Sequence, residues 1–148
     1  PEPRYFQKTF EFCDAIPRTE PQNRYACFGG LGKEFIVLMQ GRDIRDMENL
    51  SDSQLKRIYE WCVLAGKEEG IQACLEHAVQ SLFWGGENSR SLPMRFCGSI
   101  PETSHRSFCM NSLLDAVSYY IKDSRYKEEF CREISPAFRS ACNKRMNF

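Results

Sequence analysis

The chain of 148 residues is the size of one domain, and its 20 basic and 20 acidic side chains give a formal net charge of zero. Without a positive excess there is no field to draw it onto phosphate backbones, which argues against nucleic acid as a partner. Eight cysteines and an aromatic content of 13% point instead to a stapled, well-packed domain outside the cytosol, because reducing compartments do not maintain structural disulfides.

In chain order, Phe6, Phe10 and Cys13 recur at helical spacing over residues 4 to 16, and Pro17 stops the first helix. A polar loop from Arg18 to Gln22 leads into a longer helix with Cys27, Phe28, Leu31, Phe35 and Leu38 on one stripe, ending near Gly41. Within it, Gly29, Gly30 and Gly32 each cost about 1 kcal/mol relative to alanine. Close approach of a neighbouring helix is the structural reading of these glycines, contact with a ligand or partner is the functional one, and a break in the helix is the third. Residues 41 to 51 form a charged insertion that no other repeat contains. Asn49-Leu50-Ser51 matches the N-glycosylation pattern, but Ser51 with Gln54 also reads as a capping box for the third helix, the preferred role. Leu55, Ile58, Tyr59 and Cys62 make that helix's stripe.

After the turn Gly66 to Gly70, a fourth helix carries Ile71, Cys74, Leu75, Ala78, Val79 and Leu82 and ends at Trp84-Gly85-Gly86, where glycine supplies a left-handed cap. A short helix around Cys97 follows Pro93 and stops before Pro101. Ser104 is expected to cap the sixth helix, with Phe108, Leu113, Leu114, Val117, Tyr120 and Ile121 recurring. The seventh starts near Ser124 and contains Tyr126, Phe130, Cys131 and Ile134; Pro136 opens the eighth, with Phe138, Cys142 and Met146.

The cysteines fall into four pairs, each flanking a loop. First cysteines Cys62, Cys97 and Cys131 are 35 and 34 residues apart, and second cysteines Cys74, Cys109 and Cys142 are 35 and 33 apart, a period that signals an array of helical hairpins. The repeat predicts the pairs Cys13 with Cys27, Cys62 with Cys74, Cys97 with Cys109, and Cys131 with Cys142, although the cysteine count alone permits other connectivities. The expected fold is all-α. A single domain over 1–148 comprises four tandem antiparallel hairpins (about 4–40, 52–84, 92–122 and 124–148), stacked as a short α-solenoid with an internal disulfide in each. The short tail after Cys142 leads to the expectation that the last helix is truncated or completed by another chain, because a repeat array normally ends in a polar cap.

In architecture these tandem stapled hairpins resemble the cysteine-rich Sel1-like repeat proteins of bacteria. The stretch Cys27-Phe28-Gly29-Gly30-Leu31-Gly32-Lys33 is similar to a Cys-aromatic-His-Gly-x-Gly-His motif of exported repeat proteins, sharing Cys27, Phe28, Gly30 and Gly32. Gly29 and Lys33 stand where the histidines would be, so the resemblance implies no histidine chemistry and no known activity.

Enzymatic signals are weak. His77 and Ser81 are an i, i+4 pair without an evident acidic orienter, and Glu68-Glu69 and Glu128-Glu129 are adjacent carboxylates that diverge around a helix. Redox catalysis prefers a Cys-x-x-Cys, and none occurs; zinc sites bring ligands in close pairs, also absent, so no metal or cofactor is expected. His77 and His105 read as structural histidines. Apolar runs such as Phe35 to Met39 are too short to span a bilayer. The opening Pro1-Glu2-Pro3-Arg4 has no leader pattern, so export implies a leader or anchor removed upstream. The leading expectation is a non-enzymatic extracellular or periplasmic protein-interaction module, a subunit of a surface assembly, with Trp84, Tyr119 and Tyr120 as anchor candidates. The alternative is a carrier or receptor domain for a small apolar ligand.

Overall fold

The computed structural model describes residues 3–41, 50–85 and 90–148. Among them are eight α-helices and no strand: α1 Pro3–Asp14, α2 Pro21–Met39, α3 Asp52–Val63, α4 Glu68–Gly85, α5 Ser91–Gly98, α6 Thr103–Tyr120, α7 Ser124–Glu133 and α8 Pro136–Arg145. Asn49, Gly86 and most of the 41–51 insertion lie outside the described residues. No described helix is long and apolar enough to cross a membrane.

Local chemistry sets the helix ends. The Gln54 amide donates to Ser51 Oγ at 3.2 Å and the Ser51 amide to Gln54 Oε1 at 2.8 Å, the expected capping box of α3. Proline opens α2 and α8, where its missing N–H has no intrahelical acceptor to lose. Two expectations need correction. Pro93 lies inside the first turn of α5 rather than before it, a position where proline again sacrifices no helical bond. Ser104 does not cap α6; Glu102 does, because its carboxylate accepts from both the Ser104 N–H and the Ser104 hydroxyl at 3.1 Å.

All four predicted disulfides are present, each joining consecutive helices: Cys13–Cys27 (α1, α2), Cys62–Cys74 (α3, α4), Cys97–Cys109 (α5, α6) and Cys131–Cys142 (α7, α8). The even-numbered helices pack on one another in chain order, α2 on α4, α4 on α6 and α6 on α8, while α3 packs on α5. One continuous core results, with Phe10, Phe28, Phe35, Phe96 and Phe130 among its fully buried rings. The rings of Phe6, Phe35 and Trp61 pack edge-on or tilted, with centroids 4.7 to 5.3 Å apart. The α2 stripe is turned slightly from expectation: Phe28, Phe35 and Ile36 are buried, while Cys27, Leu31 and Leu38 are only half-buried. That rotation points Gly29 and Gly32 at α4.

Polar links join one disulfide-bonded pair of helices to the next. Arg24, only 4% exposed, donates to the carbonyls of Asp14 (2.7 Å) and Ile16 (2.6 Å), to the Asp14 carboxylate (2.9 Å) and to Glu69 of α4. It thereby satisfies carbonyls left over at the end of α1. Lys67 Nζ binds the same Asp14 carboxylate at 2.7 and 2.8 Å. Further along, Arg95 of α5 holds Asp52 at 2.6 Å, and Arg90 holds Glu129 (2.8 Å) and Glu133 (2.7 Å) of α7. Hydrogen bonds from Lys67 and then Arg24 hold the Asp14 carboxyl below its ordinary value of 3.8. Arg90 lowers Glu129, and the Ser104 amide lowers Glu102, from 4.5.

Carboxyls depressed on folding bind protons more readily in the unfolded chain, so their stabilisation is complete above the ordinary values and lost as pH falls through the lowered ones. The urea midpoint is therefore expected to be level above about pH 5 and to fall progressively below pH 4. Asp14→Asn, which removes the most heavily bonded of these carboxylates, should lower the neutral-pH midpoint and flatten the acid limb. A wild-type midpoint unchanged down to pH 2 would contradict the assigned links.

Candidate functional site

The face built by α2, α4 and α6 carries the most distinctive surface chemistry, and its residues arrive there by register. Lys33, Gln80 and Asp115 stand six residues after Cys27, Cys74 and Cys109 on the three helices, and Trp84 and Tyr119 stand ten after Cys74 and Cys109. Positions four apart on a helix share one face. Equivalent positions on successive stapled helices therefore line up across the surface.

Trp84, Tyr119 and Tyr120 are 54%, 70% and 48% exposed, and they touch. The Trp84 and Tyr120 rings meet edge to face at 4.8 Å, as do Tyr119 and Tyr120, the geometry that aromatic quadrupoles favour. Buried Phe83 lies 5.4 Å from Trp84 and supports it from below. Tyr120 departs from the expected α6 stripe: it closes the last turn of the helix and turns toward Trp84 rather than into the core. Lys122 Nζ donates to the Tyr119 carbonyl at 2.9 Å and lies 5.8 Å from the Tyr119 ring centre.

Two cavities flank this cluster. One of about 590 Å³ is lined by Gln80, Asp115, Ala116, Ser118, Tyr119, Tyr120 and Lys122. The other, about 360 Å³, lies between α2 and α4 and is lined by Lys33, His77, Gln80, Ser81 and Trp84. Gln80 borders both, and with Trp84 against Tyr120 the two form one continuous surface. Asp115 is held at its edge by an ion pair with Arg145 of α8.

The glycines of α2 divide by what faces them. A Cβ on Gly32 would collide with the Cys74 carbonyl, and one on Gly29 would collide with the His77 imidazole, whereas nothing lies within 4 Å of the Cβ position on Gly30. Gly29 and Gly32 thus let α2 approach α4 closely, the structural reading of the motif. Gly29 also seats His77. The Ala73 carbonyl can only accept, so His77 Nδ1 donates to it at 2.9 Å, and the Tyr25 ring lies 5.3 Å away on another side. The ring is fixed with Nε2 left over.

A second polar cluster had no signature in the sequence. The Tyr59 hydroxyl bonds His105 Nδ1 at 2.9 Å, and His105 Nε2 donates to Glu68 at 2.9 Å, linking α3, α6 and the start of α4. Tyr59 and His105 are buried, and burial raises the Tyr59 hydroxyl's pKa. The cluster borders neither cavity of the aromatic face, so it serves as a link between helix pairs. Among the described residues no three His, Cys, Asp or Glu side chains gather as a metal site would require.

No protein-family model matches the chain, and no curated protein or solved structure is detectably similar to it.

Proposed function

We propose that the chain is a non-enzymatic interaction module of an extracellular or periplasmic protein, a short solenoid of four stapled hairpins acting as a subunit of a surface assembly. Four disulfides fit an oxidising compartment, and packing of even helices in succession fits a solenoid that presents one face to partners. The observation that carries the reading is the contiguous, exposed cluster of Trp84, Tyr119 and Tyr120 between two cavities. Tryptophan and tyrosine dominate binding hot spots because they bury much area with few torsions to freeze. The larger cavity, bordered by Gln80, Asp115, Ser118 and Lys122, favours a polar-rimmed protein contact over an apolar small ligand.

The test is purification from source with disulfides intact, identification of a stoichiometric companion, and reconstitution of the pair from purified components. Replacing Trp84, Tyr119 and Tyr120 with alanine is expected to weaken the complex at least about thirtyfold, the effect of one lost hot spot, while the variant still folds with a cooperative melt. Equal affinity of the variant, or a monomer carrying a bound apolar molecule, would overturn the reading.

A further inference from the structure

The smaller cavity, between α2 and α4, has a donor and acceptor set that its own protein leaves unused. Lys33 makes no ion pair, and Ser81 and the Trp84 indole N–H make no hydrogen bond, among the described residues. His77 Nε2 is likewise without a protein partner because Nδ1 is the atom committed to Ala73. Among the described residues the lining contains one ammonium group and no carboxylate. A complementary ligand therefore brings one negative charge for Lys33, an N–H for the imidazole, and an apolar body to lie against Trp84. At about 360 Å³ the space is at the small end of ligand sites.

We propose that this cavity captures the C-terminal residue of a partner polypeptide. The terminal carboxylate sits on Lys33 and the Ser81 hydroxyl, the residue's backbone N–H donates to His77 Nε2, and its side chain packs on the Trp84 ring. Capture of a chain terminus is a recurring mode of peptide recognition, and a charge-assisted bond to the carboxylate is about twice as strong as a neutral one. An internal segment of a partner has no carboxylate on its backbone and matches Lys33 only where an Asp or Glu side chain reaches it, without the adjoining backbone N–H of a chain terminus. Gly29 is part of the device: without a Cβ it admits the His77 ring against α2 at the wall of the cavity. The inference rests on the reading of this face as a recognition surface and names what it recognises.

The experiment titrates the isotope-labelled full chain with acetyl-Gly-Phe as the free acid, with its C-terminal amide, and with phenylacetate, following the indole N–H resonances. Trp84 should shift with the free acid while buried Trp61 does not. The amide should bind at least tenfold more weakly, and so should the free acid to Lys33→Met, an exposed substitution whose folding is checked by its melt. Phenylacetate, lacking the N–H, should bind more weakly than the peptide acid, and His77→Gln should narrow that gap. Acid and amide binding alike, phenylacetate matching the peptide, or no shift at Trp84 would each overturn the proposal. Should the aromatic substitutions dissolve the native complex while acid and amide bind alike, the interaction face stands and terminus capture falls. Should the native complex ignore the aromatic substitutions, the interaction face itself falls.

Discussion

Reduction of the four disulfides is expected to unfold this protein at neutral pH and 25 °C. The bonds close segments with sequence separations of 14, 12, 12 and 11 residues. Loops of this size each restrict the unfolded chain by about 3 kcal/mol. Four of them contribute roughly 12 kcal/mol, comparable to the whole net stability of an ordinary domain at about 5–15 kcal/mol. Both sulfurs of the central bond, Cys62 and Cys74, are fully buried, so replacing the two with alanine also removes core contacts. That variant is expected to lose about 3 kcal/mol or slightly more and to melt roughly 10 °C lower. At this bond the burial has a kinetic consequence too: a reductant reaches the two sulfurs only when helices part, so loss of helical circular dichroism should track release of the Cys62 and Cys74 thiols rather than follow it. A reduced, alkylated protein that keeps its helical spectrum and a cooperative melt would show that the core alone suffices.

The parts of this fold legible in the sequence were those set by neighbours in the chain. Helical periodicity, the Ser51 capping box and the loop-flanking cysteines all act within about a dozen residues, and the helices, the cap and the disulfides stand where expected, with the α2 stripe rotated and Tyr120 turned out of the α6 stripe. What the chain did not announce was mostly set by longer reach. Nothing local marks Arg24 for burial; its partners Asp14 and Glu69 are 10 and 45 positions away. His105 gives no hint that Tyr59 and Glu68, 46 and 37 positions away, complete its bonds. Ser104 is the residue type expected of a cap, yet α6 starts before it, and Glu102 caps the helix by accepting from the N–H of Ser104 itself. The candidate site lies between these extremes. Trp84, Tyr119 and Tyr120 could be chosen by type, and the equal offset of Trp84 and Tyr119 from their cysteines was present in the repeat. That they touch is a consequence of α4 packing on α6, and Tyr120's periodicity placed it in the core stripe because a pattern cannot register that the helix is ending. The cavity between α2 and α4 was the least legible, since it is shaped by which atoms are missing at Gly29 and Gly32.

Substitution of Gly32 is expected to be far more damaging than that of Gly30, two residues away in the same helix. A Cβ at Gly32 would overlap the Cys74 carbonyl oxygen and lie 3.0 Å from the Cys74 carbonyl carbon and 3.2 Å from the Ala78 nitrogen. These are backbone atoms, and α4 is anchored there by the Cys62–Cys74 disulfide, so the neighbour cannot swing aside as a side chain would. The helices must separate instead, loosening Phe28, Phe35 and Ile36 on one side and Leu75 and Val79 on the other. Overpacking of this kind costs about 1–3 kcal/mol, and alanine's better helix propensity returns at most about 1 kcal/mol. Gly32→Ala should therefore be destabilising by about 1–2 kcal/mol, and Gly32→Val by more, since its two methyl groups extend the clash and a β-branched residue gains less propensity. Gly30→Ala, with open space at its Cβ, should be stabilising by up to about 1 kcal/mol. Gly29→Ala falls between them, because the group it displaces is the His77 ring, whose cost is the bond to Ala73 rather than a backbone clash. Its readout differs accordingly: the melt should fall modestly, while peptide-acid binding at Trp84 should fall with the displaced imidazole. Chemical denaturation of the four variants gives the order directly, and a Gly32→Ala protein as stable as Gly30→Ala would mean that α2 and α4 are not in backbone contact, removing the reason for the cavity's shape as well.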